Sequence, residues 1–494
     1  MSGPYSKKWP EIVLSSKETR VSQAIGRAVR NKELRKIASR IYTSNFEGTP
    51  ADIIKRNGYQ VLGMLFPGAV ISHRSALEGG ISSDGNIVLS YKYTRTLRLP
   101  ALTVRLVKGP PPDEEDTPFL ENLYIASRAR AFLENLQPTR RRGGYIKILP
   151  KRELESRLDR MIRIYGEGEP NRLRDAAKGV SKRLKMEREF RRLDTWIGAL
   201  LGTRDAKVLV SDVAKARAQK EPYDPARIEL FATLAAFLQQ RELPRMPSTV
   251  LTKASLIHQA FFEAYFSNYI EGTEFEIEEA EKIVFESKIF SQRREDSHDI
   301  LSTYEIVSDK REMRRVPQTK EDFILILCHR HSRLMAARED KQPGRFKEMV
   351  NRAGSTIFVH PEEVRGTLFK GFELYQQLNQ GLARALFMMF LVAEVHPFVD
   401  GNGRLARMMM SAELDVAKEA RIMIPTVYRE DYLLALRRLS QKGDPAAYVR
   451  MMLKAQAFNA SIDYEDYAQA LLRLRSSNAF LRANEGKLIF RFDF

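Results

Sequence analysis

The sequence HPFVDGNGRLAR at residues 396–407 decides the fold, because it joins an apolar run to a turn and a helix start. The run 381–395 is apolar nearly all round and predicts a buried helix that leads into this stretch. In the Gly-Asn-Gly turn at 401–403, glycine lets the backbone adopt positive φ angles and approach a ligand. The run 404–420 predicts a second helix, whose first N–H groups attract anions. The stretch therefore predicts an anion-binding loop between two helices.

Four side chains of the stretch have the chemistry of nucleotidyl or phosphoryl transfer. Arg404 and Arg407 are three residues apart, so they project from one helix face and can bind phosphate oxygens through paired N–H groups. Asp400 can hold a divalent cation that also binds substrate phosphates. His396 titrates near neutrality and can accept the proton of an attacking hydroxyl. Each residue alone also fits an ordinary turn, loop histidine or helix ion pair, but the joint spacing favours an active site.

The stretch resembles the signature of the Fic family, His-Pro-Phe-x-Asp/Glu-Gly-Asn-Gly-Arg-x-x-Arg, and matches it at every fixed position. The resemblance implies an all-helical Fic domain that transfers AMP from ATP, with Mg²⁺ or Mn²⁺, to a Tyr, Ser or Thr hydroxyl of a target protein. It implies that His396 is the general base and that Asp400 is the metal ligand. The residues it assigns to the ATP phosphates are Gly401, Asn402, Gly403, Arg404 and Arg407.

A second resemblance lies upstream, where residues 267–272 read Ser-Asn-Tyr-Ile-Glu-Gly at the end of a helical run. This matches the pattern Ser/Thr-x-x-x-Glu-Gly/Asn of Fic proteins that carry their inhibitor in the same chain. Glu271 is expected to pair with Arg407 in the place of the γ-phosphate, and Ser267 and Gly272 complete the motif. A plain acid at a helix end is the alternative. The resemblance leaves open whether Glu271 also assists AMP removal, and whether a homodimer sets the inhibitory helix.

Short extended segments around Gly354 predict a β-hairpin between these two motifs. The hairpin resembles the flap with which Fic domains hold a target segment by strand addition. A plain core hairpin is the alternative. The residues expected to supply the docking edge are Thr356, Ile357, Phe358 and Val359.

Residues 1–75 predict a winged helix-turn-helix. Residues 21–31 place apolar side chains on one helix face, and residues 32–43 mix basic and apolar residues as a β-wing does. Residues 1–56 hold twelve Lys or Arg against five Asp or Glu, enough to neutralise several phosphates. The region resembles the N-terminal domain of AbiEi-type antitoxin regulators, where a winged helix precedes a small α/β domain. Binding of duplex DNA and binding of protein through the same module are both open.

Local patterns divide the rest of the chain. Residues 85–91 and 102–107 predict strands, residues 117–136 predict a helix capped by Thr117, and the arginine- and glycine-rich residues 139–144 predict a linker. The resulting five segments are a winged helix-turn-helix at 1–75, a small mixed α/β domain at 76–145, a basic helical connector at 146–245, a Fic domain at 246–475 and a C-terminal tail at 476–494.

Composition limits the class of protein. With 494 residues, 43% hydrophobic and 29% charged, the chain predicts a globular protein of several domains. The formal net charge of +18 favours an acidic partner such as nucleic acid or a phosphate-rich ligand, although solvated arginine-rich helix faces also explain it. The single cysteine, Cys328, excludes a disulfide within the chain and a cysteine-based zinc site. No signal-peptide pattern and no run near about 18 apolar residues occurs, which predicts a cytoplasmic protein without membrane contact.

Two functions follow from these patterns. The first is an auto-inhibited, Mg²⁺-dependent protein adenylyltransferase, mainly α, in which a winged helix-turn-helix and a small mixed α/β domain precede the Fic domain and bind DNA or select targets. The alternative is an antitoxin-like, DNA-binding transcriptional regulator whose Fic domain senses nucleotide. The complete signature favours the enzyme, because a sensor has no need of His396. Salt-dependent duplex binding without label transfer from ATP would indicate the regulator.

Overall fold

A computed structural model describes residues 9–139, 145–354 and 356–490 of the chain. It is mainly helical with small sheets, which confirms the predicted fold class. No helix in these ranges is long and apolar enough to cross a membrane. Parts of three predicted segments lie outside the described residues: the first eight residues of the N-terminal module, residues 140–144 of the linker and the last four residues of the tail.

The chain forms two compact units, Met1–Lys220 and Glu221–Phe494. Each unit has hydrophobic clusters of its own, as expected of a domain. The division falls inside the predicted connector 146–245. The five-part division of the chain otherwise stays a prediction.

The first unit begins with four short elements: β1 (Ile12–Leu14), α1 (Thr19–Arg30), β2 (Arg35–Ala38) and β3 (Ile41–Thr43). The strands form an antiparallel sheet in the order β1-β3-β2. Helix α1 buries Ile25 and Ala28 in a cluster with Val13 and Leu34, and its opposite face is exposed. The predicted helix is present, and the segment predicted as a β-wing contains the paired strands β2 and β3. Between residues 9 and 49 only one helix precedes the hairpin, so the helix-turn-helix stays a prediction.

A mixed sheet follows in the same unit, with these elements: α2 (Pro50–Leu65), β4 (Val70–Ile71), α3 (His73–Glu78), β5 (Asn86–Tyr91), β6 (Arg95–Leu99), β7 (Leu102–Lys108), β8 (Thr117–Phe119), β9 (Leu123–Ile125) and α4 (Arg128–Asn135). The strand order is β6-β7-β5-β4-β9-β8, with β5–β7 and β4–β9 parallel. The predicted helix over 117–136 is wrong in its first half, because Leu123 is buried in the sheet. The helix begins after Ser127, whose hydroxyl accepts the N–H of Arg130.

Four amphipathic helices complete the first unit: α5 (Lys151–Tyr165), α6 (Gly168–Leu184), α7 (Glu187–Leu200) and α8 (Asp212–Ala218). They bury one apolar stripe each in a shared cluster that includes Leu158, Val180 and Ile197. Their basic residues lie mostly on the exposed faces. This arrangement accounts for the strongly basic composition of the segment without a ligand.

The second unit contains the quoted stretch and these elements: α9 (Pro225–Gln239), α10 (Lys253–Ile270), α11 (Ile277–Phe285), α12 (Arg294–Val307), α13 (Lys310–Met313), α14 (Lys320–Leu334), β10 (Arg352–Ala353), β11 (Thr356–Ile357), α15 (Val364–Tyr375), α16 (Gly381–Val395), α17 (Asn402–Ala417), α18 (Arg429–Lys442), α19 (Pro445–Ala460) and α20 (Tyr467–Ser476). Helix α16 is buried except at Gly381, Arg384 and Ala393, and it contributes most of its length to the largest core. The predicted buried helix 381–395 is confirmed.

The segment after α20 packs on this unit. The ring of Phe480 stacks on Phe266 with centroids 5.2 Å apart, and Phe490 meets Phe458 edge-on at 5.4 Å. The described part of the predicted tail is therefore anchored by aromatic contacts.

Candidate active site

The loop between α16 and α17 holds its shape through one buried amide. The side chain of Asn402 accepts the N–H of Phe398 and donates to the carbonyl of Phe398, both at 2.9 Å. Gly401 has φ +73° at the start of α17. The prediction that Asn402 binds phosphate therefore applies to its backbone N–H, since both polar atoms of its side chain bind the loop.

His396 closes α16 in the left-handed conformation, with φ 52°, and its ring lies flat on Phe358 with centroids 3.8 Å apart. Its Nδ1 lies 3.3 Å from the carbonyl of Ala393. A proton on Nδ1 donates to this carbonyl, which leaves Nε2 with its lone pair and without a hydrogen-bond partner among the described residues. Burial lowers the pKa of His396 to about 4, so the ring is neutral at pH 7. The imidazole is thus in the state that accepts a proton.

Asp400 has one carboxylate oxygen available. Its Oδ1 accepts the N–H of Gly401 at 2.6 Å, and Oδ2 makes no hydrogen bond within the described ranges. The described residues contain no group of three His, Cys, Asp or Glu side chains placed to bind a metal together. A single half-buried carboxylate suits Mg²⁺, which is commonly held by one or two carboxylates and by the phosphates of a substrate.

Arg407 is buried on α17 and makes the predicted ion pair with Glu271. Its Nη2 lies 2.6 Å from Oε1 of Glu271 and 2.8 Å from the carbonyl of Ser267, and its Nε donates to the Ser267 hydroxyl at 3.0 Å. Tyr432 adds a hydroxyl 3.4 Å from Nη1. Burial opposes the charge of Arg407, but Glu271 more than offsets it and the pKa is raised. The guanidinium is thus bonded to the end of α10 and to Tyr432 on α18.

Glu271 also lies against the first turn of α17. A Cβ added to Gly403 would meet Oε1 of Glu271 at 2.2 Å, so the carboxylate nearly touches this backbone. Gly272 ends α10 with φ +93°, and the N–H of Thr273 returns to the carbonyl of Asn268. Glycine at 272 therefore stops the helix where Glu271 faces the predicted anion site.

Arg404 points to different partners. Its Nη1 lies 2.7 Å from Oδ2 of Asp299 and 3.3 Å from Oδ1 of Asn268, and its buried Nε has no hydrogen-bond partner among the described residues. Arg338 binds the same Asp299 carboxylate at 2.9 Å. The two predicted phosphate clamps are therefore not equivalent: Arg407 pairs with Glu271 at the predicted anion site, whereas Arg404 is held by Asp299, which the sequence did not reveal.

The predicted hairpin is present, but its four named residues lie in two different environments. Thr356 and Ile357 form β11, and Ile357 is 58% exposed. Phe358 turns inward onto His396, and Val359 is only 1% exposed in the main core. The regular strand ends at Ile357, after which Phe358 is half-buried and Val359 is buried. The docking edge at these four residues stays a prediction.

Two further residues hold the site in place and carry no local sequence signal. His331 on α14 stacks on Phe398 at 3.7 Å, and its Nε2 lies 3.0 Å from the carbonyl of Asp400. Lys347 donates its backbone N–H to the carbonyl of Pro397 at 2.9 Å. Both residues stand far from the signature in the chain, so only the fold brings them together.

The signature loop and the buried helix α16 before it lie in a part of the chain that matches a known protein family. The model of the Fic/DOC family matches residues 324–414, which include the loop. The chain therefore contains a Fic domain.

Relatives with this domain carry the name protein adenylyltransferase Fic. One from Drosophila persimilis is 23% identical over 215 residues, 42% of this chain and 42% of the relative. One from Nematostella vectensis is 25% identical over 219 residues, 42% of this chain and 50% of the relative. The chain thus spans half or less of the length of these relatives. The resemblance of the N-terminal region to AbiEi-type regulators stays a prediction.

Solved structures give weaker overall matches. Fic-1 from C. elegans aligns with a TM-score of 0.36 and 17% identity, over 69% of this chain and 97% of that chain. A Fic domain signalling protein from Bacteroides thetaiotaomicron aligns with a TM-score of 0.33 and 18% identity, over 54% of this chain and 100% of that chain.

Proposed function

We propose that this protein is an auto-inhibited adenylyltransferase that moves AMP from ATP to a Tyr, Ser or Thr hydroxyl of a target protein. The observation that carries the proposal is the position of the Glu271 carboxylate, which lies between Arg407 and the first turn of α17 at Gly403. A place that accepts a carboxylate beside a guanidinium and helix N–H groups also suits a phosphate oxygen. The proton-accepting nitrogen of His396 is unused beside it.

His396 is the general base in this proposal. Its Nε2 accepts the proton of the target hydroxyl, whose oxygen forms a bond to the α-phosphorus of ATP. The bond from the α-phosphorus to the β-phosphate oxygen breaks, and pyrophosphate leaves. Because burial keeps the pKa of His396 near 4, almost every molecule has the base in its accepting form at pH 7.

The phosphates are held by the start of α17 and by Arg407 once Glu271 has moved away. Asp400 would hold Mg²⁺ or Mn²⁺ through Oδ2, and a cation bound there neutralises charge on the phosphates. Arg404 is already bound to Asp299, so we assign the main clamp to Arg407.

The hairpin supplies the place for the target. Thr356 and Ile357 form a two-residue strand, half-buried at Thr356 and exposed at Ile357, next to Phe358, which covers His396. An extended target segment that adds to this strand by backbone hydrogen bonds brings its hydroxyl beside the base. The target itself is therefore recognised partly through its backbone.

The test is transfer of label from α-labelled ATP to protein in a cell lysate and to the chain itself. Glu271→Gly should raise the label well above the parent, because Arg407 and the first turn of α17 then become available to ATP. Adding His396→Ala to this variant should abolish the label. The matched control is Glu274→Gly, which removes an exposed acid of the same turn that pairs with Arg482 instead.

Two results would contradict the proposal. Label from γ-labelled ATP alone would indicate phosphoryl transfer. No label from either nucleotide, in a Glu271→Gly variant that is correctly folded, would exclude the adenylyltransferase activity. The DNA-binding regulator would then be the remaining hypothesis.

The second candidate function, binding of duplex DNA, rests on the exposed face of α1. The basic residues of this face are Arg20, Arg27 and Arg30, and all three are exposed. They share one side of the helix, because Arg27 follows Arg20 by seven residues and Arg30 follows Arg27 by three. Replacing them together with Gln should weaken duplex binding and reduce its dependence on salt by about one unit of slope per lost phosphate contact. Arg172→Gln, an exposed arginine of α6, is the matched control. Unchanged binding in the triple variant would exclude this face.

A further inference from the structure

Lys347 joins the base of the hairpin to the signature loop. Its backbone N–H donates to the carbonyl of Pro397 at 2.9 Å, and its Nζ donates to Oδ1 of Asn351 at 2.7 Å. The amide of Asn351 in turn donates to the carbonyl of Phe398 at 2.9 Å. Lys347 is thus bonded to the loop directly and through Asn351.

The ammonium of Lys347 is in an unfavourable place for a residue with a packing role alone. Only 3% of the residue is exposed, and within the described part of the chain it makes no ion pair. Burial, with the cation Arg227 nearby, lowers the pKa of Lys347 to about 7. An apolar side chain of similar length would fill this space at less cost to stability, because a buried ammonium without an acid is poorly solvated.

The same ammonium faces the ring that covers the proposed base. Nζ lies 5.9 Å from the ring centre of Phe358, and this ring stacks on His396 at 3.8 Å. The N–H of Phe358 also donates to the carbonyl of Asn351 at 3.1 Å. Lys347 therefore contacts Asn351, which accepts the N–H of Phe358, and faces the Phe358 ring that lies on His396.

We propose that Lys347 is a positioning residue for His396, which holds the hairpin against the imidazole and whose positive charge acts together with burial to keep the imidazole neutral. The inference rests on the proposed function, in which His396 accepts a proton. Two carboxylates, Glu271 and Asp400, act on the ring in the opposite sense and favour its protonated form. Lys347 is the cation that opposes them.

The test compares Lys347→Met and Lys347→Arg in the Glu271→Gly background, with α-labelled ATP and a labelled target or the chain itself. Lys347→Met should lower kcat at least about tenfold and change the KM for ATP less than about twofold, because the residues at the anion site are untouched. Its unfolding midpoint should stay equal or rise, since a buried charge is removed. Lys347→Arg should recover much of the rate, and Lys370→Met, at an exposed lysine of α15, should change nothing.

A second measurement does not depend on transfer. NMR titration of the imidazole signals of the seven histidines, assigned with His396→Gln, should show a higher pKa for His396 in Lys347→Met than in the parent. This readout separates the inference from the proposed function, because it stands even when Glu271→Gly transfers no AMP. Asn351→Leu removes the hydrogen bond of Nζ but keeps the charge, so it should lower kcat without this rise.

Three outcomes would overturn the inference. One is a transfer rate for Lys347→Met within about twofold of its background. Another is a lower rate that accompanies a lower unfolding midpoint and an unchanged titration of His396, which would make Lys347 a packing residue. The third is an unchanged titration of His396 in a chain that transfers no AMP.

Discussion

His331 and His396 each form a ring stack at the signature loop, and the two stacks have almost identical geometry. His331 lies on Phe398 with centroids 3.7 Å apart and planes at 7°, and His396 lies on Phe358 at 3.8 Å and 6°. Burial lowers the pKa of both histidines to about 4. Stacking and burial therefore keep both rings neutral, and neither property distinguishes a base from a structural residue.

The ring nitrogens make the difference. In His331, Nδ1 accepts the N–H of Gly344 at 2.9 Å and Nε2 donates to the carbonyl of Asp400 at 3.0 Å. In His396, the carbonyl of Ala393 is the partner of Nδ1, and Nε2 has no partner among the residues that the structure describes. One histidine uses both nitrogens to hold the loop, whereas the other keeps one nitrogen for the proposed proton transfer. The contrast predicts opposite results when each ring is removed.

The largest expected effect is on catalysis at His396. In the Glu271→Gly background, His396→Ala should lower the rate of AMP transfer by about 10²- to 10⁴-fold, the usual contribution of a general base. The free energy of unfolding should fall by less than in His331→Ala, because each variant loses one stacked ring but His396 loses, among the described residues, a single long hydrogen bond to a carbonyl. Transfer from α-labelled ATP and urea unfolding measure the two quantities. A rate loss below about tenfold would assign the proton to another group and break the contrast with His331.

The next effect is on stability at His331. His331→Ala leaves the N–H of Gly344 and the carbonyl of Asp400 unpaired, so it should lower the free energy of unfolding by about 1–3 kcal/mol. Transfer should fall less than in His396→Ala, because the loop is displaced but the base remains. The change is measured as the urea midpoint of the second unit. Far-UV circular dichroism is the signal, because it does not depend on tryptophan. Equal stability of the two alanine variants would mean that the hydrogen bonds of His331 do not hold the loop.

Some parts of the site could be predicted because one local pattern specifies them. The apolar run 381–395 gives a helix that must be buried, and Gly401 permits the positive φ that starts α17. The pairing of Glu271 with Arg407 also follows from a resemblance that links two distant motifs. In each case the chemistry of the residues allows few other arrangements.

Other parts could not be predicted, because their partners are chosen by packing between helices. Nothing near Arg404 indicates that Asp299 will bind it, or that Arg338 will share that carboxylate. The sequence around Lys347 likewise gives no sign that this residue is buried, since a lysine in a polar loop is normally exposed. Such contacts depend on the fold as a whole and not on spacing along the chain.

The same limit explains the wrong helix over 117–136. Leu123 fits a helical stripe by spacing, but its strand is set by pairing with β4 and β8, which lie elsewhere in the chain. Asp116 ends the acidic run 113–116, yet it is buried against Arg130 at 2.5 Å. Strand pairing and buried ion pairs are both non-local, so a window of sequence does not contain them.

Acid also lowers the stability of the fold through these two histidines. Any pH study of activity therefore needs a control for folding. Both histidines have a lower pKa in the folded chain, about 4, than the usual 6.5, so the unfolded chain binds more protons between these values. Stability is therefore full above about pH 6.5 and declines as the pH falls towards 4. Activity should be compared only at pH values where circular dichroism shows the chain folded.

The smallest expected effect is the pH dependence of kcat/KM, which reports the free enzyme. Neutral His396 is the active form, so the rate falls as the pH drops through its pKa. With a pKa of about 4, kcat/KM of Glu271→Gly should change by less than about 1.5-fold between pH 7.5 and 5.5, whereas an ordinary histidine would lose about tenfold over that range. Loss of Glu271 does not reverse this expectation, because that carboxylate raises the pKa of His396. A tenfold loss would mean that the ring is solvated when the site is open, and burial would then no longer be common to the two histidines.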